Sequence, residues 1–274
     1  MARPTRLAAV LVGVVGLALV TASCGNTVTD PVSSAPSEGA IVTVEIVPPD
    51  EATAATDATP SSPPAPLSAR STYTVVAQAT VPDVVVRSGP GADTEPVAAL
   101  VNPTASGSPL VFRAVEDGAT SADWIEVYLP IRPNGSSGWV LRSEVVLSDN
   151  PYRVEIDRAT YSLRVYNLED LWLETTIAVG NGDTPTPVGD FYLMELLAPP
   201  NPNGPYGPFA FGLSGFSEVL SEFGGADEAI IGLHGTNDPS ALGTDVSFGC
   251  IRLENAIIES LARTLPLGTP VAIT

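Results

Sequence analysis

The chain has 274 residues, of which 44% are hydrophobic and 16% charged, a balance that excludes a wholly disordered protein. Its 27 prolines and 24 glycines exclude an all-helical fold. The 31 acidic and 12 basic residues give a net charge of −19, which excludes a nucleic acid, itself a polyanion, as a partner. One histidine and two cysteines are too few for a structural zinc site with its about four ligands, so we expect neither a metal nor a cofactor.

The first 24 residues have the pattern of an export signal. Arg3 and Arg6 precede an apolar run, residues 7–20, that is shorter than the roughly 20 residues needed to span a bilayer. Small residues then lead into Cys24, an ending that resembles a bacterial lipobox, whose cysteine is diacylated and becomes the mature N-terminus. This predicts a lipoprotein-type signal peptide over 1–24 and a protein anchored at the extracytoplasmic face of the membrane. The alternative is an ordinary secretory signal in which the cysteine has no role.

Residues 25–70 have the composition of a tether. The segment is rich in Pro, Ser, Thr and Ala and contains no aromatic residue. Such a segment cannot bury enough apolar surface to offset the entropy lost on ordering. We therefore predict a disordered linker between the anchor and the folded part of the chain.

Residues 71–149 have the pattern of a small β-domain. Short β-branched or aromatic runs alternate with Gly/Pro turns and show no helical period. The runs are 73–81, 83–91, 123–130 and 138–147. Val85-Val86-Arg87-Ser88-Gly89-Pro90, a strand opening at Trp124 and the closing Gly138-Trp139-Val140 resemble a bacterial SH3-like domain. That resemblance implies either a module that binds cell-wall peptides or glycans, or a structural spacer.

Residues 152–274 form the second predicted domain. VEIDR (154–158) and SLRVY (162–166) alternate apolar and polar residues, which predicts half-buried strands, and TTIAVG (175–180) and FYLMEL (191–196) read as further strands. Only 256–265 has a helical stripe, formed by Ile257, Leu261 and Leu265, and Pro266 ends it. The fold class is therefore mainly β: a small SH3-like barrel followed by a β-sandwich or barrel-like domain with one short helix.

A long loop and two reactive residues are the candidate functional elements of this domain. The Pro/Gly-rich stretch 198–209 predicts an ordered loop, whose Tyr206 either lines a cleft or packs beneath it. His234 follows an apolar strand, and Cys250 comes sixteen positions later. A cysteine nucleophile needs a base, and the chain offers one imidazole. Gly249 before the cysteine frees the backbone to aim its N–H groups at an oxyanion. The nearby helix start and the cation of Arg252 predict a lowered thiol pKa.

The stretch from His234 to Arg252 resembles the active-site signature of the YkuD-type L,D-transpeptidases. That signature is His-Gly-Thr, a loop, then Ser-x-Gly-Cys followed by Arg or Asn. The family's T-P-x-P-x-G loop matches at 184–189 and its closing G-T-P-V at 268–271. Many members have a histidine where Phe248 stands, so an oxyanion contact from that side chain is missing here.

The resemblance implies a peptidoglycan L,D-transpeptidase that releases D-alanine from tetrapeptide stems and forms 3→3 cross-links through a thioester. Cys250 is then the nucleophile and His234 the base. Supporting or oxyanion roles fall to Gly235, Thr236, Ser247 and Gly249, and substrate contacts to Arg252 and Tyr206, although a structural ion pair is an equal alternative for Arg252. The stem peptides would be its partners, and we expect a monomer.

Alternatives of other kinds remain at this level. The same site can serve as an L,D-carboxypeptidase, with water as acceptor, or attach a lipoprotein to the wall. A catalytically idle wall-binding lipoprotein is the non-enzymatic alternative. A cysteine peptidase of the NlpC/P60 type is disfavoured because that family places its cysteine before its histidine, the reverse of the order here.

Overall fold

The computed structural model describes residues 73–115, 121–223 and 228–274, all within one compact unit. The predicted signal peptide, Cys24 and the predicted linker over 25–70 lie outside the described residues. The described part is built from β-strands and a single α-helix, so the mainly β prediction is confirmed. No helix within it is long and apolar enough to cross a membrane.

The N-terminal module, residues 73–150, contains two small sheets. A three-stranded sheet has the order β4-β1-β7 and a four-stranded sheet the order β3-β2-β6-β5. A bridge between Ala114 and Val127 links them. The strands are β1 (Thr74–Ala79), β2 (Asp83–Arg87), β3 (Pro96–Val101), β4 (Val111–Arg113), β5 (Trp124–Tyr128), β6 (Ser137–Leu141) and β7 (Val145–Asn150), with a 3-10 turn at Arg142–Glu144.

Alternation of side chains builds the core of this module. In β2, Val84 and Val86 are fully buried, whereas Val85 between them is 42% exposed. Because successive strand residues point to opposite faces, the run of valines presents one face inward. The buried valines pack with Phe112, Ile125 and others between the two sheets.

The rest of the chain is organised around an eight-stranded sheet, the main sheet. Its order is β10-β9-β8-β17-β12-β13-β14-β16, and β11 and β15 form a separate parallel pair. The strands are β8 (Tyr152–Asp157), β9 (Ser162–Asn167), β10 (Asp170–Thr176), β11 (Val179–Gly180), β12 (Gly189–Leu197), β13 (Ala210–Phe216), β14 (Ile230–His234), β15 (Asp245–Ser247), β16 (Ile251–Arg252) and β17 (Pro270–Ile273). A 3-10 turn covers Pro239–Ala241 and helix α1 covers Asn255–Thr264.

The period-two predictions for the first strands of the main sheet are confirmed. Val154 and Ile156 in β8 are buried, as are their antiparallel neighbours Val165 and Leu163 in β9. The stretch 175–180, predicted as one strand, is instead divided between β10 and β11. The reason is a change of partner, because β10 pairs with β9 and β11 with β15.

Helix α1 packs its apolar stripe on the main sheet. The residues it buries are Ile258, Leu261 and Ala262, and Leu265 just beyond its end is also buried. This i, i+3, i+4, i+7 spacing is that of an amphipathic helix. The predicted stripe had Ile257 in place of Ile258, and Ile257 is only partly buried.

The N-terminal module packs directly against the main sheet. Tyr192 of β12 is fully buried and forms an apolar cluster with Val76 and Val111 of the module. Beside it, the amide of Asn150 donates a hydrogen bond of 2.9 Å to the hydroxyl of Thr269. Burial of an aromatic ring and pairing of buried polar groups stabilise this interface.

A second contact joins the loop between β5 and β6 to the end of β13. The Asn134 side chain accepts the N–H of Phe216 and donates to its carbonyl, both at 2.9 Å. In the same loop, Arg132 donates to the carbonyls of Ser217 and Leu220 at 2.8 and 2.9 Å. The module thus supplies partners to backbone groups that follow β13.

We predict that Asn134→Ala destabilises the protein by about 1–3 kcal/mol, because two backbone groups of buried Phe216 lose their partners. Urea unfolding of the purified protein measures the change. Asn203→Ala, at an exposed asparagine, is the control and should stay within about 0.5 kcal/mol of the wild type. Equal stability of the two variants would contradict a stabilising role for this contact.

Candidate active site

The side chain of Ser247 closes the turn that carries Cys250 through two hydrogen bonds. Ser247 is buried; its hydroxyl accepts the N–H of Gly249 at 3.1 Å and donates to the carbonyl of Cys250 at 2.6 Å. Gly249 has a φ of +114°, which disfavours any residue with a side chain. Ser-x-Gly-Cys therefore encodes a tight turn that presents the cysteine just before β16.

The loop 184–189 stabilises this turn through hydrogen bonds to its backbone. The buried hydroxyl of Thr186 accepts the N–H of Gly180 and donates to the carbonyl of Gly249, both at 2.8 Å. A Cβ on Gly180 would approach the backbone of Thr184 to 2.3 Å, so only glycine permits the close approach. The threonine-proline motif acts here on the cysteine turn through the backbone, without touching the thiol.

His234 ends β14 and is held in one tautomer. Its ring is 4% exposed, and Nδ1 lies 2.6 Å from the carbonyl oxygen of Gly235. Since a carbonyl oxygen only accepts, Nδ1 carries the proton and donates it. In the neutral ring, Nε2 then has a free lone pair and is the basic atom of the site.

Cys250 and His234 meet above Gly232. A Cβ placed on Gly232 would lie 3.4 Å from Cδ2 of His234 and 3.5 Å from Sγ of Cys250. The N–H of Gly232 also donates to Sγ at 3.3 Å. Cδ2 is bonded to Nε2, so the basic edge of the imidazole and the thiol both lie close to Gly232. Sequence reasoning missed Gly232, although a glycine two places before the histidine lies on the same strand face.

Burial sets both protonation states of this pair. It lowers the pKa of His234 to about 4, an effect to which the nearby cation of Arg252 adds and which the bond to Gly235 opposes. Burial also raises the pKa of the Cys250 thiol, and the Gly232 N–H and Arg252 offset this only in part. The lowered thiol pKa expected from the sequence is therefore wrong. At neutral pH the site holds a neutral thiol beside a neutral imidazole.

Arg252 lies in β16, in register with His234. Its backbone is fixed by reciprocal hydrogen bonds with Ala178 at 2.9 and 3.1 Å. Its Nε is buried without a hydrogen-bond partner, and among the described residues its guanidinium forms no ion pair. A cation in that state beside a nucleophile suits an anionic ligand group.

Tyr206 covers the histidine. Its ring lies 4.8 Å from the imidazole, centroid to centroid, at an interplanar angle of 57°. The predicted loop is found between β12 and β13, and its Gly207 packs against Gly235: a Cβ on Gly207 would reach the Cα of Gly235 at 2.7 Å. Tyr206 is 41% exposed, so it forms part of the wall of an open site.

The His-Gly-Thr turn is tied to the start of α1. The N–H of Thr236 donates to Oδ1 of Asn255 at 2.9 Å, and the same oxygen would lie 2.3 Å from a Cβ on Gly235. Gly235 is therefore needed for the close approach of loop, turn and helix. Thr236 supports the turn through its backbone and lies buried away from solvent.

The family resemblance makes the backbone N–H groups of Gly249 and Cys250 the candidate oxyanion donors, and the structure distinguishes between them. The N–H of Gly249 is engaged by Ser247, whereas the N–H of Cys250 has no hydrogen-bond partner among the described residues. Cys250 is thus the better candidate of the two. Phe248 is 56% exposed and its ring contacts that of Phe223 at 5.6 Å between centroids. Over the described ranges no group of three or more His, Cys, Asp or Glu side chains is arranged to hold a metal.

Comparison with known proteins places this site in a family. Residues 151–273 match the family model described as YkuD, L,D-transpeptidase catalytic domain. The protein named L,D-transpeptidase YqjB of Bacillus subtilis is 32% identical over 146 residues, which cover 50% of this chain and 77% of that relative. The chain belongs to the L,D-transpeptidase family.

Further similarities cover the same region. The L,D-transpeptidase YkuD of Bacillus licheniformis is 38% identical over 124 residues, 45% of this chain and 66% of that relative. The solved structure of the helical cell shape determining protein Pgp2 from Campylobacter jejuni is 30% identical, with a TM-score of 0.36, over 45% of this chain and 47% of that one. The assignment of this chain to the L,D-transpeptidase family therefore comes from the sequence matches.

We predict that Tyr206→Ala raises the pKa of His234 from about 4 toward its usual 6.5, because the ring that helps to bury the imidazole is removed. The chain has a single histidine, so one imidazole C–H resonance followed by NMR against pH measures it. Tyr73→Ala is a matched control, since Tyr73 is 42% exposed, and should leave the pKa unchanged. An unchanged pKa in Tyr206→Ala would contradict the covering role.

Proposed function

We propose that this protein is a peptidoglycan L,D-transpeptidase that forms 3→3 cross-links through a thioester on Cys250. The observation that carries the proposal is the meeting of Cys250 and His234 above Gly232, inside a sequence signature of the family. The chain spans 66% of the length of the Bacillus YkuD relatives, so its substrate and acceptor are inferred from the site itself.

Acylation starts from the neutral pair. As the thiol attacks the carbonyl carbon of the third stem residue, its proton passes to Nε2 of His234, and the S–C bond forms. The oxyanion that develops is stabilised by the N–H of Cys250. The tetrahedral intermediate then collapses, the C–N bond to the terminal D-alanine breaks, and the imidazolium gives its proton to the leaving amine. The hydrogen bond to Gly235 keeps Nδ1 protonated throughout.

Deacylation repeats these steps in reverse order with a second amine. A side-chain amine of a neighbouring stem attacks the thioester, transfers a proton to Nε2 of His234 and expels the thiolate, which recovers the proton. Water in place of the amine gives a carboxypeptidase.

Arg252 and Tyr206 hold the substrate in this proposal. The unpaired guanidinium binds the carboxylate of the terminal D-alanine, for which its planar fork is suited. The aromatic ring of Tyr206 packs against the stem while covering His234. The raised thiol pKa makes a nearby base essential, since little thiolate exists without one.

We predict that Cys250→Ala abolishes release of D-alanine from a disaccharide tetrapeptide, by analogy with losses on the order of 10⁶ for removed serine nucleophiles. His234→Ala should lose less, because a thiol retains some thiolate, and the double variant should match Cys250→Ala. In the wild type the rate should fall as the pH drops toward 4, where His234 becomes protonated and ceases to be a base.

Circular dichroism and unfolding temperature serve as controls that the variants are folded. Mass spectrometry of muropeptides shows whether the acceptor is an amine or water. Wild-type turnover in His234→Ala, or no release of D-alanine by the wild type, would contradict the proposed reaction. Hydrolysis without cross-links would change the acceptor and leave the roles of Cys250 and His234 in place.

The organisation of the whole chain extends this proposal. Residues 1–24 export the protein, lipid on Cys24 anchors it outside the membrane, and residues 25–70 span the distance to the wall. Residues 71–149 act as an SH3-like domain, and 152–274 carry the catalytic reaction in a monomer. The two small sheets joined through β4 and β5 support the middle assignment.

We predict that Cys24→Ala abolishes incorporation of a clickable fatty acid and moves the protein to the soluble fraction or leaves it unprocessed. The physical reason is the loss of the acyl chains that hold a protein at a bilayer. Metabolic labelling followed by gel fluorescence measures it. Cys250→Ala is the matched control, because it removes the other cysteine and should keep the label. A wild type without label would contradict the anchor.

A further inference from the structure

Three neighbouring strands of the main sheet share an open row of residues beside the catalytic pair. Glu195 of β12 is directly opposite Gly212 of β13, and Gly212 is opposite Gly232 of β14. Directly opposed residues in antiparallel strands project to the same face. Two glycines in succession therefore leave a trench on this face, from Glu195 to the point above Gly232 where Cys250 and His234 meet.

The side chain of Glu195 lies along this trench. A Cβ on Gly212 would come within 2.5 Å of Oε1 and 2.7 Å of Cγ of Glu195, so the carboxylate extends over Gly212 toward β14. Adjacent strands are about 4.8 Å apart, which puts the position above Gly232 one strand further on. Glu195 is half-buried, and among the described residues its carboxylate forms no hydrogen bond and no ion pair.

The two charged side chains of the site, Glu195 and Arg252, lie on opposite sides of the catalytic pair. The order β12-β13-β14-β16 puts the Glu195 carboxylate on one side of the catalytic pair and the Arg252 guanidinium on the other. Each is unpaired within the described chain. A half-buried carboxylate without a partner favours a cationic ligand group, because desolvated charges are stabilised by opposite charge.

We propose that Glu195 binds a primary ammonium group on the acyl-donor peptide, an inference that rests on the proposed function. With the terminal carboxylate of the donor at Arg252 and its reacting carbonyl at Cys250, the acyl residue extends from the catalytic pair toward β12. A side-chain ammonium on a flexible stem then reaches over Gly232 and Gly212 to the carboxylate. Glu195 is a specificity-determining residue that distinguishes a charged from a neutral side chain.

The position of Glu195 in the sheet also determines which substrate it contacts, the acyl donor or the acceptor. The acceptor amine attacks the thioester at the place that the leaving D-alanine vacates, on the Arg252 side of the pair. Glu195 lies on the opposite side, two strands from β14. It therefore contacts the residue that is acylated, and its effect belongs to the acylation step.

The test compares two tetrapeptide donors, one with a free side-chain amine on its third residue and one with that amine acetylated. For the free amine, Glu195→Gln should lower kcat/KM for D-alanine release about tenfold, mostly through KM, as expected for loss of a charged hydrogen bond. For the acetylated donor, the variant and the wild type should have the same kcat/KM. Added salt should lower kcat/KM most for the wild type acting on the free amine, because the contact of Arg252 with the terminal carboxylate is common to all four combinations and only this one adds the Glu195–ammonium pair.

Two further variants serve as a matched control and as an independent test of the role of Glu195. Asp190→Asn, at an exposed carboxylate on the same strand, removes an equal charge at the far end of β12 and should leave both donors unaffected. Gly212→Ala fills the trench and moves the Glu195 carboxylate aside, so it should reproduce the selective loss on the free amine. Alkylation of Cys250 by iodoacetamide should be unchanged in Glu195→Gln, which shows an intact nucleophile.

The possible outcomes are distinguishable. A wild type that releases no D-alanine overturns the proposed function. An active wild type with equal selectivity in Glu195→Gln overturns the role of Glu195 alone. A loss that appears only in cross-linking, with D-alanine release unchanged, assigns the carboxylate to the acceptor and also overturns this proposal.

Discussion

The absence of a side chain at Gly232 is the constraint on which the site depends. Sγ of Cys250 and the imidazole of His234 both occupy the space above this glycine, at 3.5 and 3.4 Å from where a Cβ would lie. A side chain larger than alanine would push the two groups apart. Hydrogen bonds bring the two side chains to that one position. Ser247 and Thr186 bind the backbone of the cysteine turn, and the carbonyl of Gly235 binds the imidazole of His234.

Desolvation gives the site its chemical character. Burial disfavours the charged form of each group, so it lowers the pKa of His234 and raises that of Cys250. The resting pair is neutral, and in the proposed reaction charge develops only as a substrate carbonyl is attacked. Unpaired charges remain at the borders, Arg252 on one side and Glu195 on the other. In the proposed function, this neutral centre between opposite charges orients a peptide that carries both.

The N-terminal module contributes to this arrangement from a distance. Asn134 and Arg132 bind the backbone at and beyond the end of β13, the strand that carries Gly212. Strand β12, which carries Glu195, packs on the module through Tyr192. Two of the three strands of the trench, β12 and β13, are therefore held by groups far away in the chain, and such contacts leave no local signal in the sequence.

The sequence by itself determined the period-two strands, the loop 198–209 and the short helix, because these follow from local alternation and turn residues. The scarcity of imidazoles and thiols made Cys250 and His234 the candidate reactive residues. Tertiary structure decided what depends on neighbours in space. In the folded chain Ile258, and not Ile257, belongs to the buried stripe of the helix, and the N–H of Gly249 donates to the hydroxyl of Ser247. Tertiary structure also reversed the expected thiol pKa, because burial outweighs a nearby cation, and burial is a property of the packed fold.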